Sequence, residues 1–125
     1  MNIEIRPLSL GVYDAVFGLW RQCEGIGLSK TDSRENIERY LERNPGMSFI
    51  AICGDAVVGA VLCGHDGRRG YIHHMAVAPK YRRRSLGRRL VERCLAALAR
   101  EGLQKCHLFV MNHNHDGIAF WKSVG

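Results

Sequence analysis

Apolar residues are spaced along the chain in two ways, one typical of strands and one typical of helices. Strand-like alternation occurs in five short segments, residues 2–6, 48–53, 56–63, 71–77 and 105–111. Apolar residues three or four positions apart predict helices over 12–23, after Ser33, over 86–100 and over 114–124. The order β-α-α-β-β-β-α-β-α predicts an α/β (α+β) fold with a mixed central sheet, flanking helices and one helical crossover between strands.

The residues between these segments supply the turns and helix ends that this order needs. Gly54-Asp55 predicts a tight turn between the second and third strands. Pro79 ends the fourth strand, because proline cannot donate a hydrogen bond in a central ladder. Asp32 and Glu35, three residues apart, resemble a capping pair and predict the start of the second helix.

A chain of 125 residues, 46% hydrophobic and 24% charged, has the size and composition of one globular domain, which we expect to span residues 1–125. The apolar segments are too short to cross a bilayer, and Arg6 and Pro7 stand where a signal peptide would have its apolar core. The five cysteines form no Cys-x-x-Cys pair, which predicts reduced thiols rather than a disulfide framework. These features favour a cytoplasmic protein without a membrane partner.

The distribution of charge is the first feature that indicates a partner. The formal net charge is +6, and much of the excess lies in residues 80–89, which read Lys-Tyr-Arg-Arg-Arg-Ser-Leu-Gly-Arg-Arg. A focused basic cluster favours a polyanion, either nucleic acid or the phosphates of a cofactor. The cluster lacks the interleaved aromatic residues of nucleic-acid-binding modules, so nucleic acid is the less favoured partner.

Residues 71–90 place an apolar strand, a short basic turn and a strongly amphipathic helix in immediate succession. The first amides of a helix have no partner within it and lie at the positive end of its dipole, so they form a ready site for phosphate. The small residues Ser85 and Gly87 would let a pyrophosphate approach the backbone closely. The spacings of a P-loop and of a dinucleotide glycine fingerprint are both missing. The alternative is a solvated helix start in which Gly87 has no role.

Two motifs resemble those of the GCN5-related N-acetyltransferases, the GNAT family. Residues 76–79 read Ala-Val-Ala-Pro and residues 82–87 read Arg-Arg-Arg-Ser-Leu-Gly, similar to the family's Ala-Val-x-Pro followed by Arg/Gln-x-x-Gly-x-Gly/Ala. Ser85 replaces the first motif glycine, which is tolerated if the backbone there suits a residue with a side chain. Residues 114–125 match the spacing of the second signature, Asn-x-x-Ala-x-x-Phe-Tyr-x-x-x-Gly, with Trp121 for tyrosine. A further strand pair normally follows in the family, so we expect the last strands of the fold to be missing, through truncation or a shorter sheet.

The resemblance implies acetyl-coenzyme A (acetyl-CoA) as the cosubstrate and assigns its contacts. In the GNAT fold the fourth and fifth strands splay around acetyl-CoA, and pantetheine pairs with the backbone of the fourth strand. The residues expected at the cofactor are Met75, Ala76 and Val77 on the strand, Arg82, Arg83, Arg84, Ser85, Leu86, Gly87 and Arg88 in the turn and helix start, and Asn114 and Trp121 in the second motif.

The resemblance also implies direct attack of an amine on the thioester, which requires a group that takes the amine proton. Many family members supply an acid as the tyrosine that matches Trp121, and ribosomal-protein acetyltransferases place a glutamate at the position of Phe109, so neither role is carried over. Aralkylamine acetyltransferases carry histidines at the positions of Tyr71 and His73. Histone acetyltransferases carry a glutamate at the position of Tyr71.

Strand alternation would place Tyr71, His73 and Met75 on one face of the sheet and His74 on the other. His73 is therefore the first candidate for the catalytic base, since the ordinary pKa of histidine suits that task, and Tyr71 is the second. We interpret His74 as structural. The alternative for His73 is a half-exposed strand residue without a role.

The sequence thus predicts an enzyme that moves acetyl to a primary amine of a small molecule, a peptide or a protein. Two alternatives stay open, a catalytically degenerate acyl-CoA-binding sensor and a basic nucleic-acid-binding module. No metal is predicted, because His113-Asn-His115 lacks a further ligand at a suitable spacing. The acceptor amine stays open, and a homodimer is compatible with the sequence.

Overall fold

The computed structural model describes residues 2–23, 26–82 and 85–108 of the 125-residue chain. Five strands form one sheet in chain order, and they are β1 (Ile3–Pro7), β2 (Phe49–Cys53), β3 (Ala56–His65), β4 (Gly70–Val77) and β5 (Cys106–Leu108). The first four strands pair antiparallel, whereas β4 and β5 pair parallel. The predicted mixed sheet is therefore confirmed.

Within the described residues, three α-helices flank the sheet, α1 (Tyr13–Gln22), α2 (Arg34–Arg43) and α3 (Leu86–Arg100). The predicted first helix begins as a separate 3₁₀ turn over Leu10–Val12. Ser33 caps α2, because its hydroxyl accepts a hydrogen bond from the Asn36 amide at 3.3 Å. The predicted capping pair of Asp32 with Glu35 is wrong, since Asp32 instead belongs to a capping box with Ser29 that closes the 3₁₀ turn Lys30–Asp32.

Two apolar cores lie on opposite faces of the sheet. Between the sheet and α3, the buried side chains include Val61, Cys63, Ile72, Leu90, Cys94 and Leu98. Between the sheet and the other two helices, they include Val16, Trp20, Ile37, Ile50, Ala60 and Leu62. Successive residues of β3 enter the two cores alternately, which explains why that strand is an almost uninterrupted apolar run.

Two glycines, one in a turn and one in a close contact, lie at the ends of strands. Gly54 has φ of +63° in the predicted tight turn between β2 and β3, a conformation that glycine adopts without penalty. At Gly70, the first residue of β4, an added Cβ would lie 2.5 Å from Leu98 Cδ1. The end of α3 therefore packs directly on the start of β4.

α3 is the crossover between the parallel strands β4 and β5. Their described pairing covers Gly70–Cys106, Tyr71–His107 and Ile72–Leu108. The predicted splaying of the two strands concerns the continuation of β5 after Leu108, which lies outside the described residues, as does the helix predicted over 114–124. Within the described ranges, no helix is long and apolar enough to span a membrane.

Candidate functional site

A β-bulge interrupts β4 in the middle of the strand. Ala60 of β3 pairs with Ala76, whereas Leu62 pairs with His73, so His74 and Met75 together oppose one residue of β3. His74 has φ of +51°, in the left-handed region that residues other than glycine rarely adopt. The bulge adds one residue to β4 and therefore shifts the alternation of its side chains.

The shift changes which side chains share a face. Met75 packs against the core on the α3 side of the sheet. The His73 ring lies on the other side, 6.3 Å from the Tyr40 ring of α2, and the His74 ring lies 5.1 Å from the ring of Trp20 in α1. The predicted common face of Tyr71, His73 and Met75 is therefore wrong at Met75, and the predicted opposite orientation of His74 is wrong as well. Simple alternation fails here because it allows no extra residue.

His73 is surrounded by rings. It packs edge-to-face with Tyr40 and stacks on Tyr71, with ring centroids 6.3 Å apart in each pair. Burial lowers the pKa of His73 below its ordinary 6.5, the His74 charge lowers it further, and Asp32 partly offsets both. His73 is therefore a neutral imidazole at neutral pH, which is the form that accepts a proton.

Tyr71 extends the row of rings to β5. It stacks on His107 of β5 with ring centroids 5.8 Å apart. Its hydroxyl donates to Asp66 at 3.2 Å. Backbone amides of Arg69 and Arg68 lower the pKa of Asp66 to about 2, so this carboxylate stays ionised. The Tyr71 hydroxyl is thus held by the turn before β4.

Asp32 is a buried carboxylate that the sequence analysis did not assign to the site. Its side chain is only 5% exposed, and one oxygen lies 2.8 Å from His74 Nε2. The second oxygen accepts a hydrogen bond from the Ser29 amide at 3.0 Å. Tyr13 donates its hydroxyl to the Asp32 carbonyl at 2.6 Å. Asp32 and His74 lie 42 residues apart in the chain, so no local sequence signal links them.

The start of α3 has the backbone that the family motif provides with glycine. Ser85, the N-cap, has φ of +61° and ψ of +14°, a left-handed conformation. The Arg89 amide donates to the Ser85 carbonyl at 3.0 Å in the first turn of the helix. The amides of Leu86, Gly87 and Arg88 precede that bond at the positive end of the helix dipole. A phosphate group fits this arrangement.

Arg82 connects the end of β4 with the turn that leads to α3. Its Nε donates to the Val77 carbonyl at 3.0 Å. Ala76 and Val77 are buried, with 3% and 8% of their surface exposed. The predicted cofactor residues of β4 and of the α3 start are thus joined through one short turn. Four other predicted cofactor residues, Arg83, Arg84, Asn114 and Trp121, lie outside the described residues, and so does Phe109.

No cluster of three His, Cys, Asp or Glu side chains that could hold a metal ion occurs in the part of the chain that the structure describes. His113 and His115 lie beyond that part. All five cysteines are free thiols.

Comparison with known proteins gives the class of protein that this fold and site define. The family model described as "Acetyltransferase (GNAT) family" matches residues 13–125. An acetyltransferase of Pectobacterium atrosepticum is 30% identical over 122 residues, which are 98% of this chain and 86% of that protein. The chain belongs to the GNAT acetyltransferase family.

Solved structures of the same fold are similar over the whole chain. The PaiA N-acetyltransferase of Thermoplasma acidophilum, crystallised in complex with coenzyme A, has a TM-score of 0.88 at 19% identity and covers 100% of this chain and 89% of its own. A chain of the NatC complex bound to Gag peptide and CoA has a TM-score of 0.84 at 21% identity, covering 100% and 84%. The predicted family, fold and enzyme class, an acetyltransferase, are confirmed.

Proposed function

We propose that the protein transfers the acetyl group of acetyl-CoA to a primary amine, with His73 accepting the proton that the amine loses. The observation that carries the proposal is the place of His73. The pKa of His73 is lowered, and its ring packs against neighbouring aromatic rings. His73 directly precedes the bulge of β4, from which the strand continues through Met75, Ala76 and Val77. Acetyl transfer is the reaction of the family. The proposal adds that the acceptor is a primary amine and that His73 is the base.

Acetyl-CoA supplies the activated acetyl thioester when it is bound. Its pyrophosphate would lie at the amides of Leu86, Gly87 and Arg88, in the first turn of α3 at the positive end of the helix dipole. Met75, Ala76 and Val77 would hold the pantetheine arm. From the sequence motifs, Arg83, Arg84, Asn114 and Trp121 would complete the contacts, and Arg82 would add positive charge near the turn.

His73 takes part in the proton transfer. A protonated amine is not a nucleophile, so the acceptor must lose a proton before or during formation of the new nitrogen–carbon bond. As that bond forms, the carbon–sulfur bond breaks and coenzyme A leaves as a thiolate. The neutral imidazole of His73 accepts the amine proton directly or through a water molecule. Tyr71 holds the His73 ring by stacking, which fits a positioning role better than a proton donor, because its hydroxyl is bonded to Asp66.

The experiment that tests the proposal is a panel of amines, polyamines, amino acids and peptide N-termini, assayed for release of the coenzyme A thiol. Turnover of at least one amine supports the transfer reaction. Acetyl-CoA binding without turnover on any of them favours the acyl-CoA-binding sensor. Absence of acetyl-CoA binding together with salt-sensitive nucleic-acid binding favours the basic module. A homodimer and the cytoplasmic location stay predictions.

A further inference from the structure

Asp32 and His74 join two segments of the chain on the side of the sheet that faces α1 and α2. Asp32 ends the 3₁₀ turn between those helices, and His74 is the bulged residue of β4. Their side chains are 5% and 17% exposed and lie 2.8 Å apart. A carboxylate buried to this degree needs partners for both oxygens, and it has them in His74 and in the Ser29 amide.

His74 is held by two contacts. Its ring contacts Asp32, and its carbonyl accepts a hydrogen bond from Trp20 Nε1 at 2.9 Å. Its backbone has the left-handed φ of +51°. Such a conformation is costly for a residue with a side chain and persists where the surroundings determine it. Those surroundings are α1 and the 3₁₀ turn, so the bulge depends on contacts from the segment before α2.

His73 directly precedes this bulge in β4. The rings of His73 and His74 have centroids 6.5 Å apart. Among the described residues, the other titratable groups that face the two histidines are Asp32 from the 3₁₀ turn, Tyr13 of α1 through the Asp32 carbonyl, Tyr40 of α2 and Tyr71 of β4. Within this group of titratable side chains, Asp32 supplies the carboxylate. The charge beside His73 is therefore set by the Asp32–His74 contact.

We propose that Asp32 and His74 are a positioning pair for the transfer reaction, which fastens the segment between α1 and α2 to the β4 bulge and thereby holds His73 toward the acceptor. The proposal rests on the proposed role of His73. In this proposal, neither Asp32 nor His74 touches the reacting atoms. The pair acts by fixing the backbone on which His73 stands and by placing a charge beside the His73 ring.

Two substitutions of His74 separate the contact from the backbone conformation. His74→Gln places an amide nitrogen where Nε2 stands, so it keeps a donor for Asp32 while removing the titratable charge. His74→Asn tolerates the left-handed backbone but is too short to reach Asp32. Asp14→Asn is the matched control, because it breaks an exposed ion pair between α1 and α2, Asp14 to Arg34 at 3.7 Å.

Kinetics with the best acceptor of the amine panel give the first readout. We expect His74→Asn to lower kcat by about 10- to 100-fold, the loss typical of a misplaced catalytic group, with a much smaller change in the KM for acetyl-CoA. His74→Gln should keep most of kcat, and Asp14→Asn should match the parent enzyme. Equal kcat values for His74→Asn and Asp14→Asn would overturn the positioning pair.

A pH titration of the His73 ring by NMR gives a second readout that does not depend on turnover or on the His74→Asn variant folding. The interaction with His74 lowers the pKa of His73 and that with Asp32 raises it, so His74→Gln, which leaves Asp32 in place, should raise the pKa of His73. The acid limb of kcat/KM should move to higher pH with it. An unchanged His73 titration in His74→Gln would contradict the proposal.

His73→Ala in the same series separates this proposal from the proposed function. If His73→Ala loses activity while both His74 variants behave like Asp14→Asn, the positioning pair is wrong and the base stands. If His73→Ala keeps full activity, the proposed base is wrong and the positioning pair is wrong with it.

Discussion

The left-handed backbone conformation at Ser85 can be tested directly by substitution. The family motif has glycine there, and Ser85 has φ of +61°. A side chain in this region costs about 1–2 kcal/mol. Glycine removes that cost but loses about 0.5–1 kcal/mol to the greater entropy of the unfolded chain. Ser85→Gly should therefore raise the free energy of unfolding by about 0.5–1 kcal/mol.

The measurement is thermal and urea unfolding of Ser85→Gly beside Ser85→Ala and the parent protein. Ser85 is exposed, and its side chain makes no capping hydrogen bond, so Ser85→Ala should differ little from the parent. The expected gain of Ser85→Gly corresponds to a rise in Tm of about 2–5 °C in a domain of this size. Calorimetry with acetyl-CoA should show binding at least as tight as in the parent. A Ser85→Gly protein less stable than Ser85→Ala would refute the left-handed conformation at Ser85.

Three further predictions concern the helix start, the packing and a surface carboxylate. Gly87→Glu should abolish acetyl-CoA binding in calorimetry while the circular dichroism of the fold is retained, because a carboxylate would repel the pyrophosphate; retained binding would place the phosphate site elsewhere. Gly70→Ala should lower the free energy of unfolding by about 1–3 kcal/mol in urea titrations, because its Cβ would lie 2.5 Å from Leu98, and a neutral effect would contradict the close packing. Asp66 has its pKa lowered from 3.8 to about 2, so the stability it contributes is present above about pH 4 and is lost as pH falls toward 2. Asp66→Asn should flatten the stability curve in that window, and an unchanged slope would mean that the amides of the turn do not hold the carboxylate.

The strands and the main helices could be predicted because their signals are local. Alternation identified all five strands, and Gly54-Asp55 identified the turn between β2 and β3. The helix from Leu86 to Arg100 follows from one apolar face and its position after a basic turn. These features depend on residues within a few positions of one another.

The geometry of the site could not be predicted in the same way, since it depends on contacts between distant residues. The bulge at His74 is held by Trp20 and Asp32, which lie 54 and 42 residues away. Alternation therefore placed Met75 on the wrong face. Ser29 could have drawn attention to Asp32, because a serine three residues before an acidic residue is typical of a capping box. The partner of that carboxylate in β4 has no such signal.

The role of His73 is tested most directly by the pH dependence of turnover in His73→Ala against the parent enzyme, with one accepted amine and acetyl-CoA. Because the pKa of His73 is lowered from 6.5, the parent should keep its kcat/KM until the pH falls below that value. A base of this kind contributes about 10²–10⁴-fold, so His73→Ala should lose at least the lower end of that range at neutral pH. It should keep its affinity for acetyl-CoA and recover in part at high pH, where the amine is already neutral. A His73→Ala enzyme that turns over like the parent across the pH range would contradict the account and leave proton removal to solvent.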